Sequence, residues 1–269
     1  MSKSKIRLNQ VTLEYPNGRK RGWHFWNSKH SASNGDSRTV LENMNLEVDA
    51  GEFVSILGHS GCGKSTLLKV IAGFVKPTSG EVLIDDSPVT GPRGDHVFVF
   101  QEGALFPWLT ILKNVLLALN SVPDQAERLE KARHYLELVS LEAYEDYYPH
   151  MLSGGMRQRA EIARALAARP AVLLVDEPFS GLDCLTRLQM REEILYLHMM
   201  LSNTTILFVT HDIDEALQLS DRVVILTEQP ASIKCCHSIS IPHPRILASP
   251  DLNDLRSRIF HHLGVHAAL

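Results

Sequence analysis

The chain has 269 residues, 44% of them apolar, enough to bury one sizeable core with room for a subdomain. Its 31 carboxylates outnumber its 27 lysines and arginines, and a net charge of −4 excludes the electrostatics of a general nucleic-acid binder. No apolar run approaches the roughly 18 residues of a membrane span. The four cysteines, Cys62, Cys184, Cys235 and Cys236, show neither a CxxC pair nor zinc-site spacing, which predicts a reduced cytosolic protein rather than a disulfide scaffold.

In chain order, residues 1–5 lead straight into a strand-like segment, so no signal peptide is expected. Ile6–Leu13 alternates apolar and polar residues and predicts a half-buried strand. Gly18–Arg38 is polar and turn-rich and carries Arg19, Lys20, Arg21, Trp23, Phe25 and Trp26. It reads either as a long surface loop or as a contact with a membrane surface or partner, since basic residues beside aromatics suit an interface. Leu41–Val48 alternates again, and Asp49–Gly51 turns into the apolar run Phe53–Leu57. Leu67–Ala72 reads as a helix ended by Gly73, and Glu81–Ile84 and Val97–Phe100 as short strands. From about Ala104 to Met151 the chain is mostly helical, with a charged helix over Pro123–Val139, and a strong helix follows over Met156–Ala168. Ala171–Asp176, Thr204–His211 and Asp221–Thr227 read as buried strands, and strands alternating with helices predict an α/β parallel core. After Pro230 the chain reads as irregular up to a last helix over Asp251–Leu263, and His261, His262 and His266 read as a solvated tail, with metal affinity as the alternative and the only hint of it in the chain.

Three stretches carry chemistry. The first, Gly58, His59, Ser60, Gly61, Cys62, Gly63, Lys64, Ser65 and Thr66, meets the pattern G-x-x-x-x-G-K-[ST] between a strand and a helix. Backbone N–H groups of such a loop converge on phosphate oxygens, Lys64 reaches the outer phosphates, and the Ser65 hydroxyl ligates Mg²⁺. Cys62, beside Lys64 and near a helix N-terminus, is expected to be a reactive thiol. The second, Val172–Glu177, delivers Asp176 and Glu177 at the C-terminal end of a buried strand, where one carboxylate can hold Mg²⁺ and the next can polarise a water. In the third, Ser153, Gly154 and Gly155 precede a helix and form a second anion site at its N-terminus.

These pieces together resemble the ATP-binding cassette ATPases, from Tyr15 to about Arg245. The resemblance implies an α/β fold: a P-loop NTPase core with an antiparallel β subdomain and an inserted helical subdomain. It implies a nucleotide-binding domain over 1–235, with the helical subdomain at about 104–155 and an insertion at about 18–38, and a tail over 236–269. By the same resemblance Tyr15 stacks on adenine, and Gln101 touches Mg²⁺ and the attacking water. Ser153 to Gln158 form a signature motif that reaches the γ-phosphate held by the opposite subunit. Asp176 binds magnesium, Glu177 is catalytic, Asp183 belongs to the D-loop, and His211 contacts the γ-phosphate. Gly181 stands where the family usually has alanine. The implied cofactors are ATP and Mg²⁺, and the implied assembly is a homodimer or a pair with a paralogous ATPase.

Phe106-Pro107-Trp108-Leu109-Thr110, just after Gln101, is similar to the L-P-W-L-T of importers of the nitrate, taurine and alkanesulfonate type. So are Val209–Ala216, Leu182–Arg187 and Pro242–Arg245, while His59 leans toward nitrate-like members. That resemblance implies an integral membrane permease as partner, indirectly a substrate-binding protein, and a peripheral location on the cytoplasmic face of the inner membrane. Phe106 and Trp108 then either fill the subdomain core or line a groove for the permease. A soluble or exporter-type cassette ATPase is the alternative. Repair enzymes of the class insert a long coiled coil where only about fifty residues separate Gln101 from Ser153 here, and translation members usually carry two cassettes.

Overall fold

A computed structural model of the chain describes residues 4–16, 37–101, 103–180, 182–200 and 203–264. Most of the Gly18–Arg38 insertion, together with Gly181 and His266, lies outside the described residues. The elements run β1 (Ser4–Pro16), β2 (Ser37–Asp49), β3 (Phe53–Leu57), α1 (Lys64–Ile71), β4 (Ser79–Ile84), β5 (Ser87–Pro88), β6 (His96–Val99), α2 (Ile111–Ala118), α3 (Gln125–Leu138), α4 (Gly154–Ala167), β7 (Val172–Asp176), α5 (Cys184–Met200), β8 (Thr205–Val209), α6 (Ile213–Leu219), β9 (Arg222–Leu226), β10 (Ile233–Ser238) and α7 (Pro250–His262).

Two sheets organise the fold. The larger has the order β10-β9-β3-β8-β7-β6, parallel from β9 to β6 with β10 antiparallel on its edge. The smaller is antiparallel, in the order β2-β1-β4-β5. Strands β3, β7 and β8 are buried along their whole length, as strands covered on both faces must be. The antiparallel sheet and α1 pack on one face through Ile6, Leu8, Met44, Leu67 and Ile71. On the other face α2, α3 and α4 form a helical subdomain around Ile111, Val115, Leu136 and Leu166. The chain is therefore a P-loop-type α/β core carrying an antiparallel subdomain and an inserted helical one. Among the described residues no helix is long and apolar enough to cross a membrane.

Three elements lie where the sequence showed no regular pattern. α5 and α6 each begin on an aspartate cap: the Asp183 carboxylate accepts from the backbone N–H of Leu185 and Thr186, and that of Asp212 from Asp214 and Glu215. β10 crosses the expected division between residues 235 and 236 and pairs with β9 through Ile233 to Ser238. The segment after it is held by Arg245, which is buried and donates to the carbonyls of Ile241 (2.7 Å), Leu217 (2.8 Å), Ser220 (2.7 Å) and Ile239 (3.4 Å). Arg245→Met keeps the apolar stem and strips three buried carbonyls and the half-buried one of Ile241 of a donor, and unsatisfied buried groups cost about 1–3 kcal/mol each. A loss of about 3 kcal/mol is expected in urea unfolding; a loss below about 1 kcal/mol would show that the guanidinium does not hold this segment.

Candidate nucleotide site

The site forms because β3 delivers loop 58–63 at the C-terminal edge of the parallel sheet and α1 starts directly from it. α1 begins at Lys64, earlier than expected, so Lys64 and Ser65 occupy its first turn. Gly63 caps that turn at φ 126°, a conformation side chains resist. Gly58 is required for another reason: a Cβ there would stand 2.8 Å from Cys62 Sγ. Lys64 is 4% exposed and folds over the loop, its Nζ donating to the carbonyls of Gly58 (2.8 Å) and His59 (3.1 Å) and lying 3.6 Å from Glu177 Oε1.

Across β8, the Ser65 hydroxyl donates to Asp176 Oδ1 at 2.8 Å. Asp176 is buried at the end of β7, and burial pushes its carboxyl above the ordinary carboxylate range despite the Ser65 bond. The next residue, Glu177, adopts φ 44°, an uncommon backbone for a residue with a side chain, and its N–H bonds Val209 at the end of β8. This turn aims its carboxylate sideways. Oε2 lies 3.2 Å from His211 Nδ1, and Oε1 faces Lys64. Lys64, Ser65, Asp176, Glu177 and His211 are thus one connected cluster.

Behind His211 lies a charge network with no counterpart in the sequence reading. Buried Arg191 on α5 donates to Asp212 (2.9 Å) and Glu215 (3.3 Å), and the Thr210 hydroxyl donates to Glu215. It holds the turn between β8 and α6 and so the position of His211. The signal was present as Arg187 and Arg191, one helical turn apart and facing an acidic pair.

The remaining expected residues fall in three places. Gln101 Nε2 donates to Ser180 Oγ at 3.4 Å, on the wall of a cavity of about 260 Å³ shared with Gly154, Gln158 and Glu161. Burial raises the Glu161 carboxyl. Ser153 caps α4, its hydroxyl accepting from the Met156 N–H, and the next residue, Gly154, lines the cavity with Gln101 and Ser180, whose lining includes no residue of loop 58–66. Asp183 is held by its own helix cap, and Tyr15 stands half exposed on β1 opposite Arg38.

One expectation is corrected. Cys62 is not a reactive thiol: it is 3% exposed, and burial pushes its pKa up, outweighing the charge of Lys64. The thiol fills the space beneath Gly58.

Phe106 and Trp108 are not subdomain core. Trp108 is 69% exposed and Phe106 39%. Their rings lie 5.3 Å apart, with the Arg164 guanidinium 5.6 Å over Phe106. Buried Asn114 clamps the segment, accepting from the Phe106 N–H and donating to the carbonyls of Phe106, Leu109 and Thr110.

A family model described as ABC transporter matches residues 41–180. The chain is 46% identical over 230 residues to the bicarbonate transport ATP-binding protein of Synechocystis sp., covering 81% of this chain and 80% of that one. It is 43% identical to the aliphatic sulfonates import ATP-binding protein of Bacillus cereus, over 86% of this chain and 91% of that one. A solved dimeric ATP-binding cassette, in a post-hydrolysis state with ADP and Pi bound, superposes with a TM-score of 0.73 at 32% identity, covering 88% of this chain and 100% of that chain. The chain belongs to the ABC transporter family; it binds ATP, and its reaction is ATP hydrolysis.

The corrected Cys62 environment gives a direct test. Brief maleimide treatment of the folded chain should modify the exposed Cys184 and Cys236 and leave Cys62 untouched, with or without ATP, until the protein is unfolded. Rapid Cys62 modification that nucleotide blocks would restore the reactive-thiol reading.

Proposed function

With membership of the ABC transporter family as the premise, we propose that this chain is the ATP-hydrolysing subunit of an importer for a small anion or organosulfonate. It works as a two-chain ATP sandwich on an integral membrane permease, served by a substrate-binding protein, at the cytoplasmic face of the inner membrane. The second ATPase chain is another copy or a paralogue, and no nucleic acid takes part. The observation that carries this reading is the solvent-facing Phe106–Trp108 pair, clamped by a buried Asn114 a few residues from Gln101. Large aromatics held rigid at a surface are typical of interface hot spots. The names of the bicarbonate and sulfonate relatives support the substrate class.

The residues present fit Mg²⁺. A hydroxyl and a carboxylate oxygen 2.8 Å apart, with the carboxyl raised by burial, form a hard-oxygen donor set that a divalent charge would relieve. Ser65 and Asp176 would hold the cation, with Gln101 as the third candidate. When bound, MgATP supplies the transferable phosphoryl group and the charge that neutralises it. The loop amides of residues 58–66 and Lys64 bind the phosphates, and Lys64 exchanges its carbonyl partners for them. Tyr15 offers a ring for the base. Glu177 accepts the proton of the attacking water, and His211, held by the Arg191 network, orients that carboxylate. Ser153, Gly154, Gly155, Gln158 and Asp183 complete the phosphate shell from the opposite chain.

Two variants test the halves of this reading. Glu177→Gln should lower ATP turnover by about 10²–10⁴-fold while ATP binding persists; near wild-type turnover would remove Glu177 from the proton transfer. Trp108→Ala should leave melting temperature and basal hydrolysis unchanged, because exposed substitutions usually stay within about 0.5 kcal/mol, and should abolish co-purification with the permease. Intact assembly, or a large drop in melting temperature, would refute the docking role.

A further inference from the structure

A second cluster of chemistry-bearing side chains lies where edge strand β10 meets α7. Along β10, Ile233, Cys235 and His237 are half-buried on one side, while Lys234, Cys236 and Ser238 face solvent. His262 closes α7 opposite them. Cys235 Sγ lies 3.7 Å from His237 Nε2, which lies 3.0 Å from His262 Nδ1. All three donor atoms are within 4.8 Å of one another. The two imidazoles stack at 5.1 Å, and Lys234 Nζ donates to the His262 carbonyl at 2.6 Å, fixing the end of α7 against the strand.

The 3.0 and 3.7 Å separations lie within a few tenths of an ångström of those between ligands around one ion, and the third pair lies within 4.8 Å. Bonds of about 2.0–2.1 Å to imidazole and about 2.3 Å to thiolate, at tetrahedral angles, hold the donor atoms about 3.3–3.6 Å apart. One thiol with two imidazoles is a borderline-soft set that suits zinc-class cations and not Mg²⁺. We propose that Cys235, His237 and His262 bind one zinc-class divalent cation, with the fourth position open to solvent. All three residues are partly exposed, so the ion enters without unfolding.

The sequence hinted at only one of these ligands, His262, among the tail histidines that carried the alternative of metal affinity. Cysteine spacing showed no zinc pattern, because the pair is a C-x-H on alternate strand positions in a segment read as irregular. The third ligand is one of the histidines read as a solvated tail.

The site also touches the nucleotide loop. His59 Nε2 donates to the carbonyl of Leu263, the residue after His262, at 2.7 Å. A cation on His262 therefore fixes the turn against which His59 rests, joining edge strand, last helix and phosphate loop.

The test titrates Co²⁺ into the full-length, nucleotide-free chain. One equivalent should bind with a thiolate-to-cobalt charge-transfer band, and Zn²⁺ should displace it. Cys235→Ser should remove the band. His237→Ala and His262→Ala should weaken binding by more than the about 10–100-fold that loss of a supporting second-layer group costs. Cys236→Ser and His261→Ala should leave it intact, and circular dichroism of each metal-free variant establishes that it folds. Absence of the band under excess cobalt, or its persistence in Cys235→Ser, overturns the site. Zinc should change the ATPase rate of the wild-type chain and not that of Cys235→Ser; a zinc-independent wild-type rate overturns the link to the loop.

Discussion

The hydrogen bond from Ser65 to Asp176, 2.8 Å long, joins the first turn of α1 to the end of β7 across the intervening β8. Much of the molecule is arranged so that these two groups meet. β3, β8 and β7 must be adjacent, in parallel register and buried on both faces, for α1 to span them. The buried carboxyl at the end of β7 is costly alone, and its raised pKa is the sign of that cost. The serine hydroxyl and the nearby Lys64 offset part of it, and a divalent cation at the same oxygens would offset more. Glu177, one residue on, escapes this burial through its positive φ and turns to meet His211.

The positioning of His211 depends on a layer behind it. The ion pair from Arg191 to Glu215 is buried and that to Asp212 partly so, and breaking the buried one leaves a charge uncompensated. The helix-capping role of Asp212 and its pairing with Arg191 use the same carboxylate, so the end of β8, the start of α6 and the middle of α5 are fixed together. The cluster around His211 is braced from α5, which contributes none of the expected catalytic or metal-binding side chains.

The glycine-rich loop before α1 and the strand ending at Asp176 were legible as elements because their signals are local: glycines where the backbone demands them, and acids at the end of an apolar run. The parallel strands were legible because burial on both faces leaves unbroken apolar runs, as in Val172–Val175. α5 was not, because its face is set by tertiary partners: Met190 and Ile194 are buried among charged neighbours that blur the helical period. Cys62 was misjudged because Lys64, its neighbour in sequence, says nothing of the burial that dominates its thiol. Cys235, His237 and His262 were not legible as a group because β10 and α7 come together only through the fold. Whether Phe106 and Trp108 were core or surface could not be decided from their apolar character; the buried Asn114 decides it, by holding their segment on the outside of the helical subdomain.

The central claim is that the nucleotide site is completed by a second chain through the turn that Ser153 opens, where Gly154 lines a cavity with Gln101 and Ser180 within one chain. Sedimentation velocity of the Glu177→Gln chain under saturating ATP tests it most directly, with the Glu177→Gln, Ser153→Arg double variant alongside. The account predicts a two-chain species that requires ATP, is absent with ADP, and disappears in the double variant while that variant keeps its circular dichroism and ATP affinity. A single-chain species at saturating ATP, or a two-chain species indifferent to Ser153→Arg, would contradict it.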